Sequence, residues 1–306
     1  MTFANIDISV IILTYNEELH ISRCIESIKK FTTNIYVIDS YSTDNTVEIA
    51  RSLGATVLQN PWVNYGNQFQ WGLDNAPIQT AWIMRVDADE YSSDELIADM
   101  KLKLPTLDGS VSGVLVNVGW CFLDKLMRHG GRYPVPLLRI WRTGKAHIEQ
   151  RWMDEHLVLD DGDTVRFDGA HIDHNLNSVS WFIEKHNNYA TREMIDIINH
   201  KHHLFECDES LASNNAQQAK YKRFIKENIY NKLPIFVRPT LYFIYRYFLR
   251  LGFLDGVKGF GYHFMQGYWY RCLIDLKVYE AEKILAQCAT ADEKIAKLSE
   301  LSGLKL

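Results

Sequence analysis

Little in this 306-residue chain would let it be cross-linked, threaded through a bilayer or laid along nucleic acid. Its five cysteines (Cys24, Cys121, Cys207, Cys272 and Cys288) are odd in number, and no two are spaced as a zinc or redox pair. A disulfide framework and a zinc site are both disfavoured, and a reducing compartment is expected. No stretch reaches the ~20 uncharged apolar residues that a spanning helix needs. No basic segment followed by an apolar run opens the chain, so no signal peptide is read and a cytoplasmic location is expected. The formal net charge of −5 excludes a general nucleic-acid binder, which would carry a basic surface. Internal repeats and low-complexity tracts are missing as well. What is there is ordinary globular composition, 47% hydrophobic and 23% charged, with length enough for a sizeable core.

The first hundred residues alternate strand and helix. Ser9-Val10-Ile11-Ile12-Leu13 is a short β-branched run, the pattern of a strand buried on both faces. Ile21, Cys24, Ile25 and Ile28 fall on one helical face. Ile35 to Ile38 reads as a second strand, ending in Asp39-Ser40-Tyr41-Ser42-Thr43-Asp44, a loop rich in helix-capping side chains. Val47, Ala50 and Leu53 mark a second helix stopped by Gly54. Thr56 to Leu58 is a third strand, and Ala81 to Val86 a fourth that runs straight into Asp87.

Such units predict an α/β fold, a Rossmann-like, mainly parallel sheet flanked by helices, with ligands beyond the carboxyl ends of its strands. Thr14-Tyr15-Asn16-Glu17, Asp39 to Asp44 and Asp87-Ala88-Asp89-Glu90 all follow strand ends, so three polar segments are expected at one edge. Further strands are predicted at Gly113 to Val118, Leu137 to Trp141 and Leu157 to Leu159. A long helix should run from near Ser178 toward His200, and a polar linker from Leu204 to Gln218. The boundary between a catalytic domain, 1–203, and a C-terminal helical region, 204–306, is placed there.

Two aspartates one residue apart at the end of a buried strand can aim carboxylate oxygens at one hard cation. Mg²⁺ and Mn²⁺ prefer oxygen ligands, and Mg²⁺ is commonly held by one or two carboxylates plus substrate phosphates. A solvated, helix-capping turn is the plainer use of such a motif, since Asp94 and Glu95 follow closely; its position at a strand end beside two other polar strand ends favours the cation.

In order, Ser9 to Glu17, Val37 to Thr46 and Val86-Asp87-Ala88-Asp89-Glu90 resemble family 2 glycosyltransferases of the GT-A fold, including bacterial enzymes of lipopolysaccharide and surface-polysaccharide synthesis. The resemblance implies a metal-dependent transferase in which Asp87-Ala88-Asp89 is the DXD motif. Thr14, Tyr15, Glu17 and Asp39 would then lie around the nucleotide base and ribose. Asp87 would approach the ribose or the metal, and Asp89 would ligate the metal, Mn²⁺ or Mg²⁺. Ser40 stands where the second of two paired acids is usual, which leaves the base, uracil or guanine, less firmly specified.

Inverting sugar transfer needs a carboxylate to take the acceptor's proton. Arg151-Trp152-Met153-Asp154-Glu155-His156-Leu157 is the best match to the family's base loop, with Glu155 the first choice and Asp154 the alternative. Some members of the fold complete the cation shell with a late histidine, which makes His171 and His174 candidates; a structural hydrogen-bonding role is the commoner use of such residues. Lys185 and Arg192 lie seven apart on one helical face, positioned to meet phosphates or acceptor, or else to serve a solvated face. His200, His202 and His203 read as a surface patch.

Lys220, Lys222, Arg223, Lys226, Lys232, Arg238, Arg246 and Arg250 stand against the single acid Glu227 and are interleaved with aromatic residues. Aromatic bodies with cationic heads suit the bilayer interface, though an amphipathic helical pair folded back or a dimer face has the same composition. The reading is of transfer from a nucleotide-diphosphate sugar, UDP- before GDP-, to a lipid-linked saccharide at the inner face of the membrane. No nucleic-acid partner is expected, and a homo-oligomer is compatible with the tail. A nucleotidyltransferase is the first rival, but the glycine- and basic-rich triphosphate loop it needs is replaced by Thr14-Tyr15-Asn16-Glu17. A non-catalytic membrane-associated scaffold is the second.

Overall fold

The structure, a computed structural model, describes residues 5–148, 157–205, 234–304 and 306. They divide into two compact units, Met1–Leu176 and Asn177–Leu306.

The first unit opens with β1 (Ile8–Thr14), α1 (Ile21–Ile28), β2 (Ile35–Asp39), α2 (Thr46–Ser52), β3 (Thr56–Gln59), α3 (Tyr65–Asn75) and β4 (Trp82–Asp87). The alternation of side chains along β1 explains why a continuous apolar run was required. Ile8, Val10 and Ile12 pack on one side with Cys24, Ile25 and Ile28 of α1, while Ile11 packs on the other with Phe69 of α3 and Ile38. Strands β3, β2, β1 and β4 are parallel neighbours, as expected.

Beyond β4 the sheet becomes mixed. β5 (Glu90–Ser92), α4 (Asp94–Lys103), β6 (Val111–Phe122), β7 (Lys125–Leu126), β8 (Val135–Arg142), β9 (Ala146–Ile148), β10 (Leu157–Leu159) and β11 (Asp163–Asp173) follow. The order continues β4-β8-β6-β11-β5; β8 is antiparallel to both β4 and β6, while β6 and β11 are parallel. Ile148 pairs with Leu157 in the separate β9–β10 ribbon.

Strand β11 has no counterpart in the sequence reading. Its pattern is broken at Phe167-Asp168-Gly169, where the pairing register with β6 shifts between Arg166 and Ala170. Asn117 of β6 closes this bulge, donating to the carbonyls of Phe167 and Gly169 and accepting from Arg166 Nε at 2.8 Å. Gly169, at φ +78°, lets the bulge back onto the first turn of α4, where an added Cβ would stand 2.3 Å from the Leu96 nitrogen.

In the second unit, α5 (Val179–His202) starts at Ser178, whose side chain accepts from the Trp181 amide. It is followed by α6 (Val237–Ile244), α7 (Gly256–Tyr262), α8 (Tyr270–Leu285) and α9 (Ala291–Ser302). Met194, Ile195 and Ile198 of α5 form a core with Ala281 and Leu285 of α8 and Leu298 of α9. The long helix therefore belongs with the C-terminal elements, whereas the expected boundary after residue 203 lies on its other side. A capping box of Thr290 and Glu293 starts α9, which separates it from α8. Among the described residues no helix is long and apolar enough to cross a membrane.

The two positive-φ glycines Gly54 and Gly169 separate strain from space. Gly54→Ala, at φ +90° with nothing within 4 Å of the new Cβ, should cost only about 1 kcal/mol of backbone strain. Gly169→Ala adds a collision with the α4 backbone and should cost clearly more. Urea midpoints of the two variants check this; equal losses would show that the bulge relaxes freely.

Candidate functional site

The register of the parallel strands brings the polar segments together. Thr14 stands opposite Asp39, and Leu13 opposite Asp87. Buried Thr14 donates through Oγ1 to Asp39 Oδ1 at 3.0 Å, and the Ser40 amide donates to the Thr14 carbonyl. Asp39 is itself fully buried; Oδ2 accepts from the Ser42 amide at 2.9 Å and from Gln59 Nε2 at 3.0 Å.

The two loops then interlock along their length. The Asn16 amide donates to Ser42 Oγ, the Thr43 amide to Asn16 Oδ1, the Glu17 amide to Thr46 Oγ1 and the Glu18 amide to Asp44 Oδ2. This wiring holds Asn16 at φ +55° and Tyr41 at φ +59°, a conformation uncommon for residues other than glycine and strained for a bulky one. Tyr15 projects outward, 58% exposed. Glu17 takes a proton-bearing nitrogen of buried His20: the Leu176 amide donates to Nε2 at 2.9 Å, which places the hydrogen on Nδ1, 2.6 Å from Glu17 Oε2.

Asp87, at the tip of β4, is held by a cluster the sequence reading missed. Its Oδ1 accepts from the Tyr65 hydroxyl at 2.6 Å, and both Arg85 Nη2 and Arg139 Nη1 lie 3.7 Å from Oδ2. Arg85 also lies over the Tyr65 ring, 4.3 Å from its centre. Burial would raise the Asp87 carboxyl, but the two guanidiniums outweigh it and bring it down to about 2. Burial also pushes the Tyr65 hydroxyl up, against the pull of Arg85, so the phenol stays protonated and donates. Glu90 completes the cluster. Its Oε1 takes Arg139 Nη2 at 2.6 Å, and its Oε2 accepts from the Asp87 amide at 2.8 Å. Burial raises this carboxyl too, and Arg139 overrides it.

The late histidines take different places. His171 is fully buried, with Nε2 3.0 Å from Glu90 Oε2 and Nδ1 3.2 Å from Ser92 Oγ. Both ring nitrogens are thereby engaged, Nε2 with Glu90 and Nδ1 with Ser92. His174 lies by Asp89: its amide donates to the Asp89 carbonyl at 3.0 Å, and Arg23 Nη2 donates to the same oxygen at 3.1 Å. Arg23 Nη1 also reaches His174 Nδ1 at 3.2 Å, leaving the hydrogen on Nε2, 3.0 Å from Asp124 Oδ1. Asn175 Nδ2 donates to Asp89 Oδ2 at 3.0 Å.

Thr14, Tyr15, Glu17, Asp39, Asp87, Asp89 and both histidines are thus in the first unit, on or beside the strand ends. Lys185 and Arg192 are on α5 in the second. There Lys185 Nζ lies 4.6 Å from the centre of the Trp181 ring, and Arg192 is exposed. Glu155 and Asp154 lie outside the described residues, in the segment joining Ile148 to Leu157. Among the missed residues, Arg85 and Arg139 had a legible signal, a charge inside an otherwise apolar strand, which demands a buried partner. Tyr65 and Arg23 had none, because their partners are distant in sequence.

Residues 9–165 match the sequence profile of glycosyl transferase family 2. The lipopolysaccharide core biosynthesis glycosyltransferase LpsC of Rhizobium meliloti is 23% identical over 291 residues, covering 92% of this chain and 94% of that one. An uncharacterized glycosyltransferase of Rickettsia typhi is 43% identical over 89 residues, which is 29% of this chain and 30% of the relative's own length. Glucosyl-3-phosphoglycerate synthase of Mycobacterium tuberculosis, solved with Mn²⁺, UDP and glucosyl-3-phosphoglycerate, aligns at 24% identity and a TM-score of 0.31 over 37% of this chain and 44% of that one.

Because folding lowers the Asp87 carboxyl from 3.8 to about 2, this residue favours the folded state above pH ~4, and the benefit is lost as pH falls through ~2. Urea midpoints of the wild type and Asp87→Asn should differ at pH 6 and converge toward pH 2. A gap that does not change with pH would remove the electrostatic account of this cluster.

Proposed function

Since the chain belongs to glycosyl transferase family 2, we propose that it transfers a sugar from a nucleotide-diphosphate sugar, UDP- in preference to GDP-, onto a hydroxyl of a lipid-linked saccharide in surface-glycan synthesis. The observation carrying this reading is the junction of strand ends, where Thr14 and Asp39 are bonded in register and Asp87 is anchored as an anion one strand away. The name of the Rhizobium relative supports the acceptor class.

The exposed Tyr15 ring offers a stacking face to the base. Asp39 spends its oxygens on Thr14, Ser42 and Gln59, so its part is to shape the pocket wall; a direct bond to the donor requires exchange of one of those partners. Asp87, pinned by Tyr65 and two arginines, keeps a fixed place and a fixed charge. A divalent cation, Mn²⁺ or Mg²⁺, belongs in this reading at Asp89 with Asp87 beside it. Among the described residues no three acids or histidines gather as a protein cage. The donor set therefore fits a cation whose remaining ligands are phosphate oxygens. When bound, such a cation neutralises charge on the leaving diphosphate. His174 joins its shell only by giving up its bond from Arg23, and His171 is committed to Glu90.

Transfer is read as a single inverting displacement. The acceptor oxygen bonds to the anomeric carbon as the bond to the diphosphate oxygen breaks, the electron pair leaves with the diphosphate, and the acceptor's proton passes to Glu155 or Asp154. Lys185 and Arg192 are proposed contacts for phosphate or acceptor. The acceptor brings the enzyme to the inner face of the cell membrane as a peripheral protein.

Thermal stabilisation by UDP- and GDP-sugars with and without Mn²⁺ tests the donor. A UDP-sugar should raise Tm only with the metal; metal-independent stabilisation would remove the cation. Asp89→Ala should abolish transfer with an unchanged circular dichroism spectrum, and normal turnover would eliminate the metal argument. Glu155→Gln should keep donor stabilisation yet lose transfer by a factor of about 10² or more; near-normal rates would move the base to Asp154.

A further inference from the structure

Polarity is inverted between Tyr245 and Phe264. Three ionisable side chains, Arg246, Asp255 and His263, are almost wholly buried, while large apolar ones face solvent. Val257 is 89% exposed and Leu249 71%, and Phe248, Phe253, Leu254 and Phe260 are exposed as well. Phe248, Phe253 and Phe260 are linked through one ring. The Tyr247 ring lies 5.1 Å from that of Phe248, 6.3 Å from Phe253 and 5.6 Å from Phe260. Scattered apolar residues on a surface need no explanation, but a joined patch above buried charges does.

The charges on this surface have one sign. Arg250 and Lys258 are exposed within the patch, whereas the acids between residues 234 and 279, Asp255 and Asp275, are both buried. We propose that the turn Leu249–Lys258 and its aromatic neighbours are the point at which the protein inserts into an anionic lipid surface, apolar side chains entering the headgroup boundary and Arg250 and Lys258 meeting lipid phosphates. This rests on the membrane-surface reading above and names the surface that makes the contact. A second copy of the chain is the weaker occupant, because a two-fold contact through one patch sets the exposed cations of both copies on the same face. A bilayer interface satisfies both features at once, since apolar burial and attraction to anionic headgroups add.

Flotation of the full chain with vesicles of phosphatidylcholine alone, or with about a third phosphatidylglycerol, tests the assignment. The wild type should bind the anionic vesicles more tightly, and Leu249→Glu with Val257→Glu should weaken binding at least ~10-fold. Both side chains point outward, so near-UV circular dichroism and donor-induced thermal stabilisation should be unchanged. Arg250→Gln with Lys258→Gln should cost about 30-fold on anionic vesicles, from roughly 5-fold per charge, and little on neutral ones. Undiminished binding of the glutamate variant would overturn the assignment, as would equal binding of the wild type to both vesicles. A wild type that ignores vesicles but sediments as a dimer, which Val257→Glu dissociates, would assign the face to a second copy. Donor stabilisation is read separately, so a failure of the transferase reading and a failure of this one give different results.

Discussion

The site depends on keeping one carboxylate charged and motionless at the end of a buried strand. Leaving Asp87 near the sheet core without compensation would protonate it or displace it. Arg85, two residues back on the same strand and hence on the same face, and Arg139, from the antiparallel neighbour, supply the compensation. Two arginines beside one acid would be over-compensated, and Glu90 takes up the difference through Arg139, with His171 behind it. The motif Asp87-Ala88-Asp89-Glu90 is thus two devices in four residues. Glu90 turns inward to the counter-charges, and Asp89 sits in the turn, its carbonyl held by Arg23 and the His174 amide.

A second constraint works through backbone strain. The loops after β1 and β2 bond to each other more than to themselves, and that wiring holds Asn16 and Tyr41 at positive φ. Such conformations persist where the surroundings over-determine them. Asp39 is the fastener, and the hydrogen bonds it accepts from Thr14, Ser42 and Gln59 explain how an acid can occupy that buried position. In the proposed reading, a wall fixed by these bonds before the donor arrives would lower the ordering cost of binding.

In the C-terminal unit the same economy of charge is turned around. Arg238 and Asp275 pair internally, Arg246 donates to Gln266, and between Tyr245 and Phe264 the exposed positions are left to apolar side chains and cations. Composition alone marked the region as aromatic and basic, but it did not say which members of each class face outward. Arg246, one of the basic residues interleaved with aromatic ones, is almost wholly buried between the Tyr242 and Tyr262 rings.

Local pattern by itself determined the parallel half of the sheet, the carboxyl-end location of the polar segments and the Asp87–Asp89 motif, because strand and helix periods and capping residues act within a few positions. The β6–β8–β11 half was only partly legible: Gly169 and the bulge interrupt the period of β11, and the reversal of β8 leaves no mark in its own residues. The long-range partners of the site residues were not legible. Thr14 with Asp39, Asp87 with Arg139, His171 with Glu90 and Asp89 with Asn175 are 25, 52, 81 and 86 residues apart. Their meeting was decided by strand register and by the order in which strands pair, which is set by packing of the whole sheet and by no short stretch of it.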